Sequence, residues 1–356
     1  MPHPFFDAMT FPWARQDAQA LHTALFQAPA LSAQLVHVYQ VVGGLQPLTP
    51  GLAAHLAWRE VLDLLTGGRR LRALCDHLLA TPAHAALHPA VQAVVDARDP
   101  IRVQGLVRRS QVFIDRASLR SQLEGLIDPF SESPVLLVRG PSGSGKSWTQ
   151  HLVIETGRAF GAECVFLFPG VVSGVEDVVE ALFAAIGAGA SVPPRLETDD
   201  AWFRKACLKL QAQAVTQKVV MWVIVDDLGD YPEGPRLDPN IRRFFDQFVL
   251  MMGNPAFARH FRLVLLDYPD GDVPTRWQSV WAEDRLSERD VDATPLRDFL
   301  LGWAKGADKQ LAEDRAAEIA AAILARADEP VPAGAPPPPP RLRRIHAEVK
   351  RVLATL

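Results

Sequence analysis

VLLVRGPSGSGKSW, residues 135–148, decides the fold: an apolar run, then Gly140-Pro141-Ser142-Gly143-Ser144-Gly145-Lys146-Ser147, then the start of a helical pattern. The eight residues satisfy G-x-x-x-x-G-K-S, and strand, loop and helix follow in the order a phosphate cradle requires. Glycines let the main chain curl so that successive N–H groups point at one anion. The helix that follows contributes its partly positive N-terminus. Lys146 is placed to reach the β- and γ-phosphates of a nucleotide, and the Ser147 hydroxyl to hold Mg²⁺.

Working outward, three more apolar runs bounded by turn residues occur at Cys164–Phe168, Val219–Val225 and Leu263–Leu266. Amphipathic helical stretches at Val175–Ile186, Ala201–Gln217 and Ile241–Met252 separate them. Strands apolar on both faces and alternating with helices predict a mainly parallel sheet covered on both sides. The run Val219–Val225 ends in Asp226-Asp227. Asp226, first off the strand, is the better candidate for ordering a Mg²⁺ shell. Asp227 can orient or deprotonate an attacking water. The plainer alternative is a strand that simply ends in two solvated acids. The run Leu263–Leu266 ends at Asp267, and an acid beside a triphosphate is repulsive unless a metal or an arginine compensates it. Asp267 therefore argues against an ordinary hydrolytic arrangement, or points away from the nucleotide. Before the loop, Phe113-Ile114-Asp115-Arg116 offers backbone for an adenine ring and Arg116 as a cation near the phosphates.

Residues 1–96 read as helix after helix, with leucines at three- and four-residue steps and breakers such as Gly43-Gly44, Pro50-Gly51 and Gly67-Gly68 between them. That pattern predicts a small all-α bundle. His77, His84 and His88 are scattered along it and read as surface or satisfied core side chains rather than metal ligands. A polar connector spans 97–112, the α/β P-loop domain 113–328, and a Pro-rich segment 329–340. The last is a polyproline II spacer, or a ligand for an SH3-like module. Residues 341–356 form an amphipathic helix with Leu342, Ile345, Val349 and Leu353 on one face and arginines and lysine on the other. It either docks back on its own domain or serves a membrane or partner.

Composition fits this multidomain layout. The 356 residues, 48% hydrophobic and 22% charged, suffice for about two cores of ~150 residues each and exclude wholesale disorder. Thirty-seven basic against 41 acidic residues, net charge −4, disfavour nucleic acid as a partner. Three cysteines make no disulfide framework and fall in no metal-ligand spacing. With neither a signal-peptide pattern at the start nor a long apolar run, a cytoplasmic protein without membrane contact is expected.

The quoted motifs resemble those of STAND-type signal-transduction NTPases, the P-loop group that includes the NACHT and NB-ARC switches. The resemblance runs from Phe113 to about Ala327 and rests on FIDR at 113–116, GPSGSGKS at 140–147 and VIVDD at 223–227. Asp115 stands where the family has glycine, and no Arg or Thr sensor ends the fourth strand; both departures resemble the compact "inactive STAND" proteins of bacterial conflict systems. The N-terminal stretch ALHTALFQAPALSAQLVHVYQ, with WREVLDLLTGGRRLRALCDHLL after it, is similar to effector-associated, death-fold-like adaptors. These resemblances imply ATP and Mg²⁺ as ligands, weak ATPase activity at most, and self-association. They further imply an effector partner carrying a matching adaptor domain, within antiviral defence. The alternatives are a non-hydrolysing scaffold and, from a third class, a small-molecule kinase.

Overall fold

The computed structural model describes residues 3–13, 15–97, 106–107, 111–114, 116–128, 130–187, 191–195, 198–228, 238–268, 273–277, 280–286, 291–306, 309–330 and 339–356. Asp115, most of the 97–112 connector and most of the Pro-rich segment lie outside the described residues.

Helices α1 (Gln16–Phe26), α2 (Pro29–Ala33), α3 (Leu35–Val41), α4 (Ala54–Gly67), α5 (Leu71–Ala80) and α6 (His88–Val95) build an N-terminal all-α bundle. Its core holds Leu21, Leu25, Trp58, Val61, Leu62, Leu74 and Val91, together with Phe5 and Phe11 from the segment before α1. Leu21, Leu25, Leu62 and Leu74 are among the leucines at helical spacing and turn inward as the period of 3.6 dictates, whereas Leu52 and Leu56 stay exposed.

Two short strands, β1 (Leu106–Val107) and β2 (Gln111–Val112), pair antiparallel. They are followed by α7 (Ala117–Ile127), β3 (Val135–Arg139), α8 (Thr149–Ala159), β4 (Glu163–Leu167), α9 (Val175–Ile186) and α10 (Asp199–Gln217). Next come β5 (Met221–Val225), α11 (Pro239–Met252), α12 (Pro255–Ala258), β6 (Phe261–Leu266) and β7 (Trp281–Arg285). Strands β3 to β7 form one sheet in the order β4-β5-β6-β3-β7, and every pair in it is parallel.

The side-chain period of two sorts each central strand between two cores. Val135, Leu137, Met221, Val223, Val225, Leu263 and Leu265 face α9, α10 and α11. Leu136, Val138, Trp222, Ile224, Val264 and Leu266 face α7 and α8. Burial on both faces is why the strands read as unbroken apolar runs. The α11 side is packed with aromatic rings, Phe248 lying 5.0 Å from Phe257 and 5.4 Å from Phe261, both edge-on.

Helices α13 (Ala293–Gly306), α14 (Glu313–Ala327) and α15 (Arg341–Leu353) close the chain. Leu296, Phe299, Leu300, Ile319, Ile323, Ile345 and Val349 share a fourth core with Val112 of β2. The C-terminal amphipathic helix thus packs its apolar stripe against its own chain. No helix among the described residues is long and apolar enough to cross a membrane.

Candidate nucleotide-binding site

Strand β3 sits between β6 and β7 in a sheet whose chain runs from β3 out to β4 and returns, so residues 140–147 leave the sheet where its winding reverses. In open parallel sheets that crevice, at the carboxyl ends of the strands, is where ligands bind. Gly140, Gly143 and Gly145 hold φ of 149°, 82° and 90°. A Cβ on Gly140 would stand 2.7 Å from the Leu286 carbonyl oxygen and 2.9 Å from Ser144 Oγ, so only glycine fits there. The loop leads directly into α8, whose first turn begins at Thr149.

Ser144 is buried, and its Oγ has no hydrogen-bond partner among the described residues. Lys146 is folded into the loop: its Nζ donates to the Gly140 and Pro141 carbonyls at 2.5 and 2.8 Å and lies 3.1 Å from Asp267 Oδ1. The adjacent ends of β5 and β6 supply the acids. Asp226 is buried, accepts a hydrogen bond from the Ser147 side chain, and accepts the Asp227 amide at 2.8 Å. Burial raises its carboxyl above the usual range; the Ser147 and Asp227 hydrogen bonds oppose that rise, while Asp227 and Asp267 nearby add to it. Asp227, two residues past β5, and Asp267, one residue past β6, adopt φ of 63° and 55°. Side chains other than glycine rarely take this conformation, and Asp is among those that tolerate it.

Arg116 reaches the same neighbourhood from the start of α7. Its guanidinium donates to Asp284 Oδ2 at 2.8 Å and to Thr149 Oγ1 at 3.2 Å. Asp284 belongs to β7, a strand the apolar-run pattern does not reveal. It is 1% exposed. The pair ties β7 and α7 to the first turn of the phosphate-loop helix. The C-terminal helix closes another flank. A Cβ on Gly145 would be 3.7 Å from Leu342 Cδ1, and the Trp148 ring meets His346 edge-on at 4.8 Å. Trp148 Nε1 donates to the Val112 carbonyl at 3.1 Å, while the Val112 amide donates to His346 Nε2, also at 3.1 Å. Because an amide can only donate, His346 Nε2 must carry its lone pair. Burial, with Lys350 nearby, lowers its pKa to about 4.

The arrangement suits a polyphosphate. A loop of left-handed glycines, an unsatisfied buried hydroxyl and an ammonium converge ahead of a helix N-terminus. It also suits Mg²⁺, since Ser147 and Asp226 are hard oxygen donors already in contact. Among the described residues no group of three or more His, Cys, Asp or Glu is placed to hold a metal alone. A metal here would share its ligands with phosphate oxygens, as Mg²⁺ commonly does.

No protein-family model and no curated relative matches the sequence. Among solved structures the chain is similar to Cdc6p from Pyrobaculum aerophilum, with 18% identity over 67% of this chain and 61% of that one, TM-score 0.40. It is also similar to RuvB from Thermotoga maritima, with 14% identity, 72% and 67% coverage and TM-score 0.36. A third is the Aeropyrum pernix ORC2 protein, solved as ADPNP and ADP complexes, with 12% identity, 65% and 66% coverage and TM-score 0.39. The chain spans about three fifths of the length of that Cdc6p. The fold of this chain is read from its own sheet order and loop: a helical bundle followed by a parallel α/β domain of the P-loop type.

Proposed function

We propose that this protein binds ATP with Mg²⁺ and acts as a nucleotide-dependent signalling switch. The single observation behind this reading is the loop 140–147, whose three left-handed glycines and buried Ser144 hydroxyl line a cradle beside Lys146 and the Ser147–Asp226 contact. In this reading the amides of Pro141 to Ser147 and the Lys146 ammonium grip the β- and γ-phosphates. Ser147 and Asp226 hold Mg²⁺, Asp227 orients water, and Arg116 fixes the phosphate-loop helix through Asp284 and Thr149. The metal, when bound, would offset phosphate charge next to three carboxylates.

The N-terminal bundle would be the adaptor of a bacterial defence system, recruiting an effector through a matching helical domain. A groove of about 630 Å³ lined by Leu35, Val36, Tyr39, Leu45, Leu48 and Leu52 supports a protein-docking role, with Leu45 92% exposed at its rim. Calorimetric titration of ATP into the protein and its Lys146→Ala variant tests the nucleotide reading; equal heats from both would dispose of it.

One observation favours a second reading, a scaffold that binds nucleotide without turning it over: the residue after β6, facing Lys146, is the acid Asp267. Phosphate release that disappears in Asp227→Asn would exclude the scaffold.

A further inference from the structure

The Lys146 ammonium has three protons to donate. Three acceptors take them: the Gly140 carbonyl, the Pro141 carbonyl and the Asp267 carboxylate. Two of these belong to the loop's own main chain. The third is an anion fixed at the end of a neighbouring strand. Lys146 and Asp267 are only 10% and 21% exposed in their side chains, so the pair is largely withdrawn from water. Asp267 is held by a backbone with φ of 55°, and the next residue anchors the turn, the Tyr268 amide donating to the Val138 carbonyl at 3.3 Å. Val138 lies in β3, two residues before the loop itself.

From this geometry we infer that Asp267 is an internal occupant of the phosphate seat, a carboxylate that competes with nucleotide for Lys146 and sets the affinity and phosphate selectivity of the loop. The inference rests on the nucleotide reading above and deepens it. A phosphate oxygen and the Asp267 carboxylate need the same face of one ammonium, and both are anions. Binding therefore has to separate Asp267 from Lys146 and then leave two like charges close together. The cost falls most on a ligand whose charge lies at the β and γ positions, where the lysine reaches. An unliganded loop, conversely, is kept neutral and ordered by its own acid. The protein is built to answer to high nucleotide concentrations rather than to hold nucleotide constitutively.

Asp267→Asn tests this with little change of shape, because asparagine also tolerates the left-handed backbone of this position. ATP and ADP, each with magnesium, are titrated calorimetrically into the unaltered protein, Asp267→Asn and Asp267→Asn/Lys146→Ala, and melting curves without nucleotide establish that each folds. The expected result is ATP binding about tenfold or more tighter in Asp267→Asn, with a smaller gain for ADP and the gain abolished in the double variant. ATP binding in Asp267→Asn no tighter than in the unaltered protein overturns the inference while leaving the nucleotide reading intact. Absence of binding in both proteins overturns the nucleotide reading itself. If Asp267→Asn does not fold, Asp267→Ser removes the same charge and is held to the same tenfold criterion.

Discussion

Removing the charge of Asp284 should unsettle the protein from a strand well away from the loop sequence. Asp284 lies 2.8 Å from the Arg116 guanidinium, and the two side chains are 2% and 12% exposed. At an effective dielectric of about 20, charges at that separation attract by about 6 kcal/mol, most of it offset by the water both groups have given up. Deleting one partner forfeits the attraction and keeps the other's desolvation, so Asp284→Ala is expected to cost about 3–5 kcal/mol. Arg116 would keep its hydrogen bond to Thr149 and its position 5.8 Å from the Phe113 ring. Because Thr149 opens α8, some of the loss should also appear as weaker nucleotide binding. Urea unfolding of Asp284→Ala, Arg116→Met and the double variant Arg116→Met/Asp284→Leu forms the assay. The double variant should lose less than Asp284→Ala alone, since an apolar pair of similar volume leaves no buried charge. A loss below about 1 kcal/mol in Asp284→Ala would place the pair among solvated surface bridges and refute the reasoning.

Stability should also fall with acid through His346. Its folded pKa is depressed to about 4 from 6.5, so the neutral form's contribution is complete above pH 6.5 and disappears as the pH drops toward 4. Thermal melts over that range should show a shallower acid loss in His346→Gln, which still accepts the Val112 amide but does not titrate. Gly140→Ala would drive a methyl to 2.7 Å from the Leu286 carbonyl; calorimetry should find nucleotide binding lost or weakened at least tenfold. Phe248→Ala, which empties a fully buried site ringed by Phe244, Phe257 and Phe261, should cost about 3–5 kcal/mol in urea unfolding without changing loop chemistry.

What the sequence discloses and what it conceals divide along the range of the interactions concerned. Strands β3, β5 and β6 are legible because burial on both faces demands apolar residues in series, and a one-dimensional run records that demand; β4, at one edge and only half-buried, is legible because its residues 164–167 are apolar all the same. Strand β7 reads WAEDR and sits at the sheet edge, partly open to water, so nothing forces an apolar run there and the pattern misses it. Asp284 is missed with it, although it is among the most deeply buried acids of the chain. The loop and the Ser147–Asp226 contact follow from motifs whose spacing the mechanism itself fixes. The pairings around them do not: Arg116 with Asp284, Lys146 with Asp267, and His346 with Val112 span 168, 121 and 234 positions respectively. Each joins groups whose sequence neighbours give no hint of the other.

The meaning of Asp267 shows why this division matters for function. In sequence it is an acid where a nucleotide would find repulsion, and the inference available is that it obstructs hydrolysis or turns away. In space it faces the lysine, and repulsion toward phosphate becomes attraction toward the group that binds phosphate. If nucleotide takes that seat, as proposed above, the same charge has opposite effects on the two states, stabilising the unliganded loop and destabilising the liganded one. In the proposed switch such a residue would supply part of the needed difference, because a ligand shifts an equilibrium only by the difference in its interactions with the two states. A loop that merely cradled phosphate would supply affinity; a loop whose lysine already has a counterion supplies a threshold as well.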